Sequence, residues 1–296
     1  MEILLNQKKI FITSFNSLFF KASISLISSL YKTSIDTIDK IIIYNLGLKK
    51  IEKDFLNTLK KVEVIEYPPI INNLWNGYLD PTTFAWKCFV IKDAKRFGDI
   101  ILYLDSGAIA LKDLKIIYEI IDRDEIFLVG DKHANRNWTH KKCFEIMNAN
   151  ESEMNDFQLW AGILGYKVNG KYQQLINDAF KYSKIKECIA GDRKNHRHDQ
   201  SVYSILASRY QCPRQSILIF GEWESLEKAL SQNSVIYVHR RSYYDYKYLI
   251  DKNNKKITLP VKLRLFLMSE KIINKLRRTL EQWYSRFFSR TLFYIK

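Results

Sequence analysis

Short apolar runs divide the first 131 residues into evenly spaced segments. The runs are rich in Ile, Val, Phe and Tyr and cover residues 9–15, 39–46, 62–67, 100–104 and 125–130. Continuous apolar runs of this length are typical of strands that are buried on both faces of a sheet. The pattern therefore predicts five buried strands in this part of the chain.

Segments with helical periodicity separate these runs. Apolar residues recur at every third or fourth position in residues 18–31 and 49–60. Pro81 and Thr82-Thr83 begin a further predicted helix that runs to about residue 96, and residues 112–121 are also predicted to be helical. Alternating strands and helices predict a mostly parallel sheet with helices on both faces and right-handed crossovers. We expect an α/β, Rossmann-like fold in which about residues 1–131 form a nucleotide-binding half.

The periodicity is weaker beyond residue 131. We predict helices at 140–147 and 172–182, a polar loop leading into a helix at 196–210, and strands at 216–220 and 235–239. Residues 148–156 read as a polar loop, and residues 158–168 as an apolar segment that contains glycines.

The composition excludes a disordered chain, because 47% of the 296 residues are hydrophobic and 14% are aromatic. The net charge of +15 is unevenly distributed. From Lys255 onward the sequence has eleven Lys and Arg residues and two acidic residues, Glu270 and Glu281, so this segment contributes +9 to the net charge. A basic terminal segment indicates an anionic partner, either a membrane or a nucleic acid.

Residues 255–296 are predicted to form a basic amphipathic helical tail. Its apolar positions recur every three or four residues, at Leu265, Met268, Ile272, Leu276, Leu280, Trp283 and Phe287. A helix of this kind lies in the interface of an anionic membrane, where each basic residue contributes about 1 kcal/mol. A helix that packs on the body with a solvated basic face is the alternative.

The cysteines and the N-terminal segment indicate where in the cell the protein is expected. The four cysteines are widely separated and form no C-x-x-C pair, which favours reduced thiols in a reducing compartment. Lys8, Lys9 and Lys21 interrupt the N-terminal apolar stretch, so it predicts neither a signal peptide nor a membrane span. We expect a cytoplasmic protein, peripheral on the inner face of the cytoplasmic membrane.

Candidate chemistry begins at the end of the fourth apolar run. Asp105 follows residues 100–104, and Ser106 and Gly107 come directly after it. Open α/β sheets bind ligands at the carboxyl ends of their strands, and glycine allows close backbone approach to a ligand. An Asp that begins an ordinary turn is the alternative.

Carboxylates, small residues and basic or His residues recur at other predicted strand ends and helix starts. The set is Lys87, Asp105-Ser106-Gly107, Ala161-Gly162, Asp199-Gln200 and His239-Arg240-Arg241. Its order and spacing resemble glycosyltransferases of the GT-A fold, most of all the family 8 type and small enzymes of bacterial O-antigen and capsule clusters. The resemblance covers about residues 9–248 and implies a GT-A-like domain at 1–254, with an acceptor half at about 132–254.

The resemblance also implies roles for these residues. Donor-binding residues would be Lys87, Asp105, Ser106, Gly107, Arg240 and Arg241, and acceptor-binding residues would be Ala161 and Gly162. Asp131, at the end of a predicted strand, is a further candidate for binding the acceptor. Asp199 and Gln200 would face the sugar carbon, either stabilising an oxocarbenium-like centre or, in an inverting reaction, with Asp199 as general base. An N-terminal helix cap is the alternative for Asp199.

The resemblance further implies a divalent metal, Mn²⁺ or Mg²⁺, held by Asp105 and His239 against the diphosphate. Gly107 stands where a second metal-binding Asp is expected, so the metal would lose a carboxylate ligand. Trp160 and Ser201 likewise replace an expected Asn and Asp. If no ion binds, Lys87, Arg240 and Arg241 would meet the diphosphate instead.

Other histidines offer weaker metal candidates. His196 and His198 lie two positions apart in a charged loop, a pattern that more often marks solvated residues. His133, His140 and Cys143 could ligate zinc, although no fourth ligand has a recognisable spacing.

The sequence thus favours a glycosyltransferase that moves a sugar from a nucleotide-sugar donor to a lipid-linked or cell-surface polysaccharide or lipopolysaccharide acceptor. Two alternatives stay open: a nucleic-acid- or membrane-binding protein on an α/β scaffold, and a catalytically inactive relative. We expect no nucleic-acid partner, because the charge lies on one terminal segment and no RNA-binding signature is present.

Overall fold

A six-stranded sheet forms the centre of the computed structural model, which describes residues 7–67, 74–192, 194–220, 225–240 and 243–269. The strands in these residues are β1 Lys9–Phe15, β2 Lys40–Asn45, β3 Val62–Glu66, β4 Ile100–Leu104, β5 Ala108–Ala110, β6 Ile126–Phe127, β7 Gly130–Ala134, β8 Phe157–Leu159, β9 Ile163–Lys167 and β10 Ile236–Val238.

The helices are α1 Phe20–Thr33, α2 Lys50–Leu56, α3 Ala85–Asp93, α4 Lys115–Asp124, α5 Asn135–Trp138, α6 Lys141–Met147, α7 Glu151–Asn155, α8 Gln173–Ser183, α9 Lys186–Ile189, α10 Asp199–Arg209 and α11 Leu226–Ser231. Short 3₁₀ segments flank some of them, such as Pro81–Thr83 before α3 and Ala94–Arg96 after it. Within the described part of the chain, no helix is both long and apolar enough to cross a membrane.

The central sheet has the strand order β3-β2-β1-β4-β9-β6. The pairs β3-β2, β2-β1 and β1-β4 are parallel, whereas β9 is antiparallel to both of its neighbours. All five residues of β4 are buried, as the continuous apolar run predicts for a central strand. The predicted α/β fold with a mostly parallel sheet is therefore confirmed.

A separate two-stranded sheet determines which residues surround the end of β4. Strand β10 pairs antiparallel with β5, with Val238 opposite Ala108. This pairing places residues 239–240 beside residues 106–107, immediately after Asp105 at the end of β4. The pairing of β5 with β10 therefore brings together polar residues that are far apart in the sequence.

Two local predictions were wrong. Residues 217–220 form a 3₁₀ helix, Ile217–Phe220, and not a strand. The predicted polar loop at 148–156 contains α7, which begins with a capping box between Asn150 and Glu153. The Asn-x-x-Glu spacing that forms this box is present in the sequence and is a known signal for a helix start.

Contacts between Cα atoms group the chain into two units, Met1–Lys256 and Ile257–Lys296. The second unit is helical at residues 261–269, where Val261, Leu265 and Met268 are exposed. The rest of the predicted tail, from residue 270, lies outside the described residues. The predicted domain boundary at residue 254 stays a prediction.

Candidate active site

Three charged side chains from three separate elements meet beyond the carboxyl end of β4. Lys87 belongs to α3, Asp105 follows β4 directly, and Asp199 is the first residue of α10. The Lys87 Nζ atom lies 3.1 Å from Asp105 Oδ1 and 3.4 Å from Asp199 Oδ2. We call these three residues the charged triad.

The Lys87 ammonium is enclosed almost completely, because its side chain is only 4% exposed. Its third oxygen contact is a hydrogen bond of 3.3 Å to the carbonyl of Ala161. The rings of Phe84 and Tyr103 lie 5.5 Å and 5.4 Å from the ammonium, within cation–π range. The ammonium is therefore surrounded by three oxygens and two aromatic rings.

The two carboxylates differ strongly in environment. Asp105 has a side chain that is 41% exposed, whereas that of Asp199 is 5% exposed. The contact between Lys87 and Asp199 is an ion pair, and Asp199 Oδ2 has no hydrogen-bond partner among the residues that the structure describes. Asp105 therefore faces solvent, and Asp199 lies in a poorly hydrated environment.

Burial and charge act in opposite directions on the pKa of Lys87. Burial by itself would lower this pKa, but the nearby carboxylates of Asp105 and Asp199 outweigh it and hold the pKa well above its usual value. For Asp199 the balance is reversed: burial raises its pKa, Lys87 lowers it, and Asp105 raises it again. The ammonium stays charged, while Asp199 accepts a proton more readily than an ordinary carboxylate.

Tyr103 is a site residue that the sequence did not single out. It is fully buried in β4, and its hydroxyl donates a 2.7 Å hydrogen bond to Asp105 Oδ1. Burial raises the pKa of its phenol, so the hydroxyl stays protonated and acts as a donor. Residues two apart in a strand point to the same face, and this spacing to Asp105 was the available signal.

The backbone of residues 161–162 supports the triad. The Ala161 carbonyl accepts from Lys87, and the Gly162 carbonyl accepts a 2.8 Å hydrogen bond from the Asp105 N–H. A Cβ on Gly162 would lie 2.3 Å from the indole of Trp160, so only glycine fits under this ring. Ala161 and Gly162, predicted to bind acceptor, thus lie against predicted donor residues.

Gly107 is in close contact with the backbone of Arg240. Its carbonyl accepts hydrogen bonds from the N–H groups of His239 and Arg240, at 2.9 Å and 2.7 Å. A Cβ on Gly107 would lie 2.7 Å from the Arg240 carbonyl oxygen and 2.8 Å from its Cα. Any side chain at position 107, including the Asp that the resemblance leads one to expect, would require this backbone to move.

His239 is buried and hydrogen-bonded through its ring. Its Nδ1 atom accepts a 3.2 Å hydrogen bond from the N–H of Tyr243, and burial lowers its pKa to about 4. The ring is therefore neutral near pH 7.

These observations test whether a divalent ion fits the residues present. Asp105 Oδ1 already accepts from Tyr103 and contacts Lys87, and Gly107 leaves no room for a second carboxylate. Among the described residues, no group of three His, Cys, Asp or Glu side chains could hold a metal ion. The residues at this position do not fit a divalent-metal site.

The remaining predicted site residues occupy varied positions. Gln200, on α10 beside Asp199, donates a 3.0 Å hydrogen bond to Gln158. Ser106 is buried next to Asp105. Asp131 lies in β7, where its carboxylate bonds to Lys132 and His133. Arg241 lies outside the described residues.

His196 and His198 connect two segments of the backbone through hydrogen bonds. The rings of His140 and His196 stack with centroids 4.1 Å apart. The Nε2 atom of His196 donates to the Cys188 carbonyl at 3.0 Å, and Nδ1 of His198 donates to the Ile189 carbonyl at 2.9 Å. These bonds connect α9 to the segment that leads into α10, and so to Asp199.

Two cavities of the described structure lie at the start of α6, away from the charged triad. One cavity of about 430 Å³ and another of about 600 Å³ both border Lys141 at the start of α6. Neither is lined by a member of the charged triad. The site is therefore identified by the chemistry of its buried groups.

Structural comparison indicates which known proteins share this architecture. The structure titled "WbbM bifunctional glycosytransferase apo structure" matches over 83% of this chain, with a TM-score of 0.54 and 10% identity. The galactosyltransferase LgtC, solved in complex with donor and acceptor sugar analogs, matches over 86% of this chain, with a TM-score of 0.52 and 12% identity. The chain has the GT-A glycosyltransferase fold.

The GT-A fold extends over most of the described body. The match covers 99% of the LgtC chain but only 48% of the WbbM chain, so this chain spans about half the length of WbbM. No protein-family model matches the sequence, and the search of curated proteins gave no match. At these identities the comparison establishes the GT-A fold, as the sequence resemblance predicted, and leaves the chemistry to be argued from the site.

Proposed function

We propose that the protein is a glycosyltransferase, of the family 8 type, that moves a sugar from a nucleotide-sugar donor to a lipid-linked or cell-surface polysaccharide or lipopolysaccharide acceptor. The observation that carries the proposal is the charged triad of Lys87, Asp105 and Asp199 beyond the carboxyl end of β4. Ligands of open α/β sheets bind at such strand ends. The names of the two structural neighbours support the same reaction class.

The two carboxylates suit different tasks. Asp105 is partly exposed and oriented by Tyr103, which suits contact with the donor. Asp199 is buried with a raised pKa, which suits a group that accepts a proton or stabilises positive charge at the sugar carbon. The anomeric configuration of the product, read by NMR, would distinguish the inverting from the retaining route.

Replacing Asp105 by Asn tests the proposal. Asn keeps the size of the side chain and can still accept from Tyr103, but it lacks the charge. We expect transfer or hydrolysis of a nucleotide sugar to fall about 100-fold or more, because one oriented polar group at a reacting centre contributes this much. The assay follows nucleoside diphosphate release from a panel of nucleotide sugars.

The matched control is Asp54→Asn, on the exposed face of α2, where Asp54 forms a surface ion pair with Lys50. We expect this variant to keep full activity. Unchanged activity in Asp105→Asn, or equal loss in both variants, would remove Asp105 from the mechanism.

We also propose that the tail holds the enzyme on the inner, anionic face of the cytoplasmic membrane. Support comes from the +9 charge of residues 255–296 and from the exposed apolar residues Val261, Leu265 and Met268 on the described helix. Flotation with vesicles that contain anionic lipid should recover the full chain, whereas a Leu265→Gln/Met268→Gln variant should float less. Equal recovery with neutral vesicles would contradict the proposal.

A further inference from the structure

The charged triad has no excess positive charge that could neutralise a diphosphate. Lys87 carries one positive charge and contacts two carboxylates, so the triad has one negative charge in excess when both are ionised. A leaving nucleoside diphosphate adds more negative charge at the same strand end. Another positive charge near Asp105 would stabilise this leaving group.

A divalent ion does not fit the residues that could hold it, for the reasons given above. The glycine at position 107 is the decisive one, because the backbone of Arg240 takes up the space in which a second carboxylate would lie. The backbone that packs against Gly107 belongs to a basic residue, Arg240.

Arg240 is built into this place by its backbone. Its N–H donates to the Gly107 carbonyl at 2.7 Å, and its φ of 57° lies in the left-handed region, which is rare for residues other than glycine. The two contacts with Gly107 hold the backbone of Arg240 next to the strand end that carries Asp105. Its side chain is exposed, so a ligand can reach it.

We propose that the Arg240 guanidinium, and not a divalent ion, neutralises the diphosphate of the donor, so that the enzyme binds its nucleotide without metal. A guanidinium is always charged and forms paired hydrogen bonds with phosphate oxygens. Lys87 acts as a positioning residue that holds Asp105 and Asp199 together. This inference rests on the proposed glycosyltransferase function.

Calorimetry with the wild-type chain tests the metal question. UDP, GDP and dTDP are each titrated in EDTA and again with excess Mn²⁺ or Mg²⁺. We expect at least one nucleotide to bind in EDTA, with a Kd that metal changes by less than about tenfold. A gain of tenfold or more with metal overturns the inference and leaves the proposed function standing. Failure of all three nucleotides under both conditions overturns the proposed function itself.

Variants of Arg240 test the residue. Because Arg240 is exposed, Arg240→Gln should fold, and circular dichroism checks this. In EDTA it should bind the nucleotide about 10- to 100-fold more weakly, since a hydrogen bond to a charged group is lost. Arg240→Lys should lose less, because it keeps the charge. The control Arg123→Gln removes an exposed arginine that pairs with Asp124 and should bind normally. Unchanged binding in Arg240→Gln overturns the inference.

Discussion

Replacing Lys87 by Met would leave a buried carboxylate without its counter-charge. Met has a similar length and apolar stem, so the packing against Phe84 and Tyr103 is largely kept while the ammonium is lost. The two carboxylates respond differently, because Asp105 is 41% exposed and remains hydrated, whereas Asp199 is 5% exposed. The energetic cost therefore falls mainly on Asp199.

The expected loss is about 3–5 kcal/mol in the free energy of unfolding near neutral pH, the usual cost of removing one partner from a buried ion pair. The loss should depend on pH with a defined sign. Burial already raises the pKa of Asp199, and removal of Lys87 raises it further. A carboxyl group with a raised folded-state pKa stabilises the fold at low pH and loses this contribution as pH increases. The defect should be smaller at about pH 5 than at about pH 8.

Urea unfolding, followed by fluorescence of the six tryptophans, measures this at both pH values. Adding Asp199→Asn to Lys87→Met should restore most of the lost stability, because no buried charge then remains unpaired. Lys50→Met is the control, since Lys50 and Asp54 form an exposed pair whose loss costs at most about 1 kcal/mol. A Lys87→Met variant as stable as this control, or equally destabilised at both pH values, would refute the reasoning.

Two further predictions concern stability. Gly107→Ala should lower the free energy of unfolding by about 1–3 kcal/mol, because its Cβ would overlap the backbone of Arg240. The control Gly130→Ala should keep the wild-type stability, because its Cβ would meet nothing closer than 3.8 Å. Equal urea midpoints for the two variants would contradict this prediction. Burial lowers the pKa of His196 to about 3, below its unfolded value of about 6.5, so the unfolded chain binds more protons and stability should fall as pH drops through this range. His196→Gln should flatten that decline, and an unchanged pH profile in urea titrations would count against it.

The elements of the body could largely be predicted from the sequence. The apolar runs that become β1 to β4 carry enough buried surface to specify strands by themselves, and the segments between them have helical periodicity. The short strands β5 and β7 were not predicted, because β5 has only three residues and β7 consists largely of polar residues, so neither carries the pattern of a buried strand. The antiparallel orientation of β9 depends on a pairing with β4 that no local pattern encodes.

The candidate site, too, could be predicted from the sequence only in part. Residue types at predicted strand ends and helix starts, together with the resemblance to GT-A glycosyltransferases, were sufficient to select Lys87, Asp105 and Asp199 from the sequence. Tertiary structure alone decided that one ammonium contacts both carboxylates and that Asp199 is the buried one. It also decided that Gly107 packs on Arg240, because that contact arises from the pairing of β5 with β10. Burial and pairing depend on residues far apart in the chain, and their effects on charge and space exist only once the chain is folded.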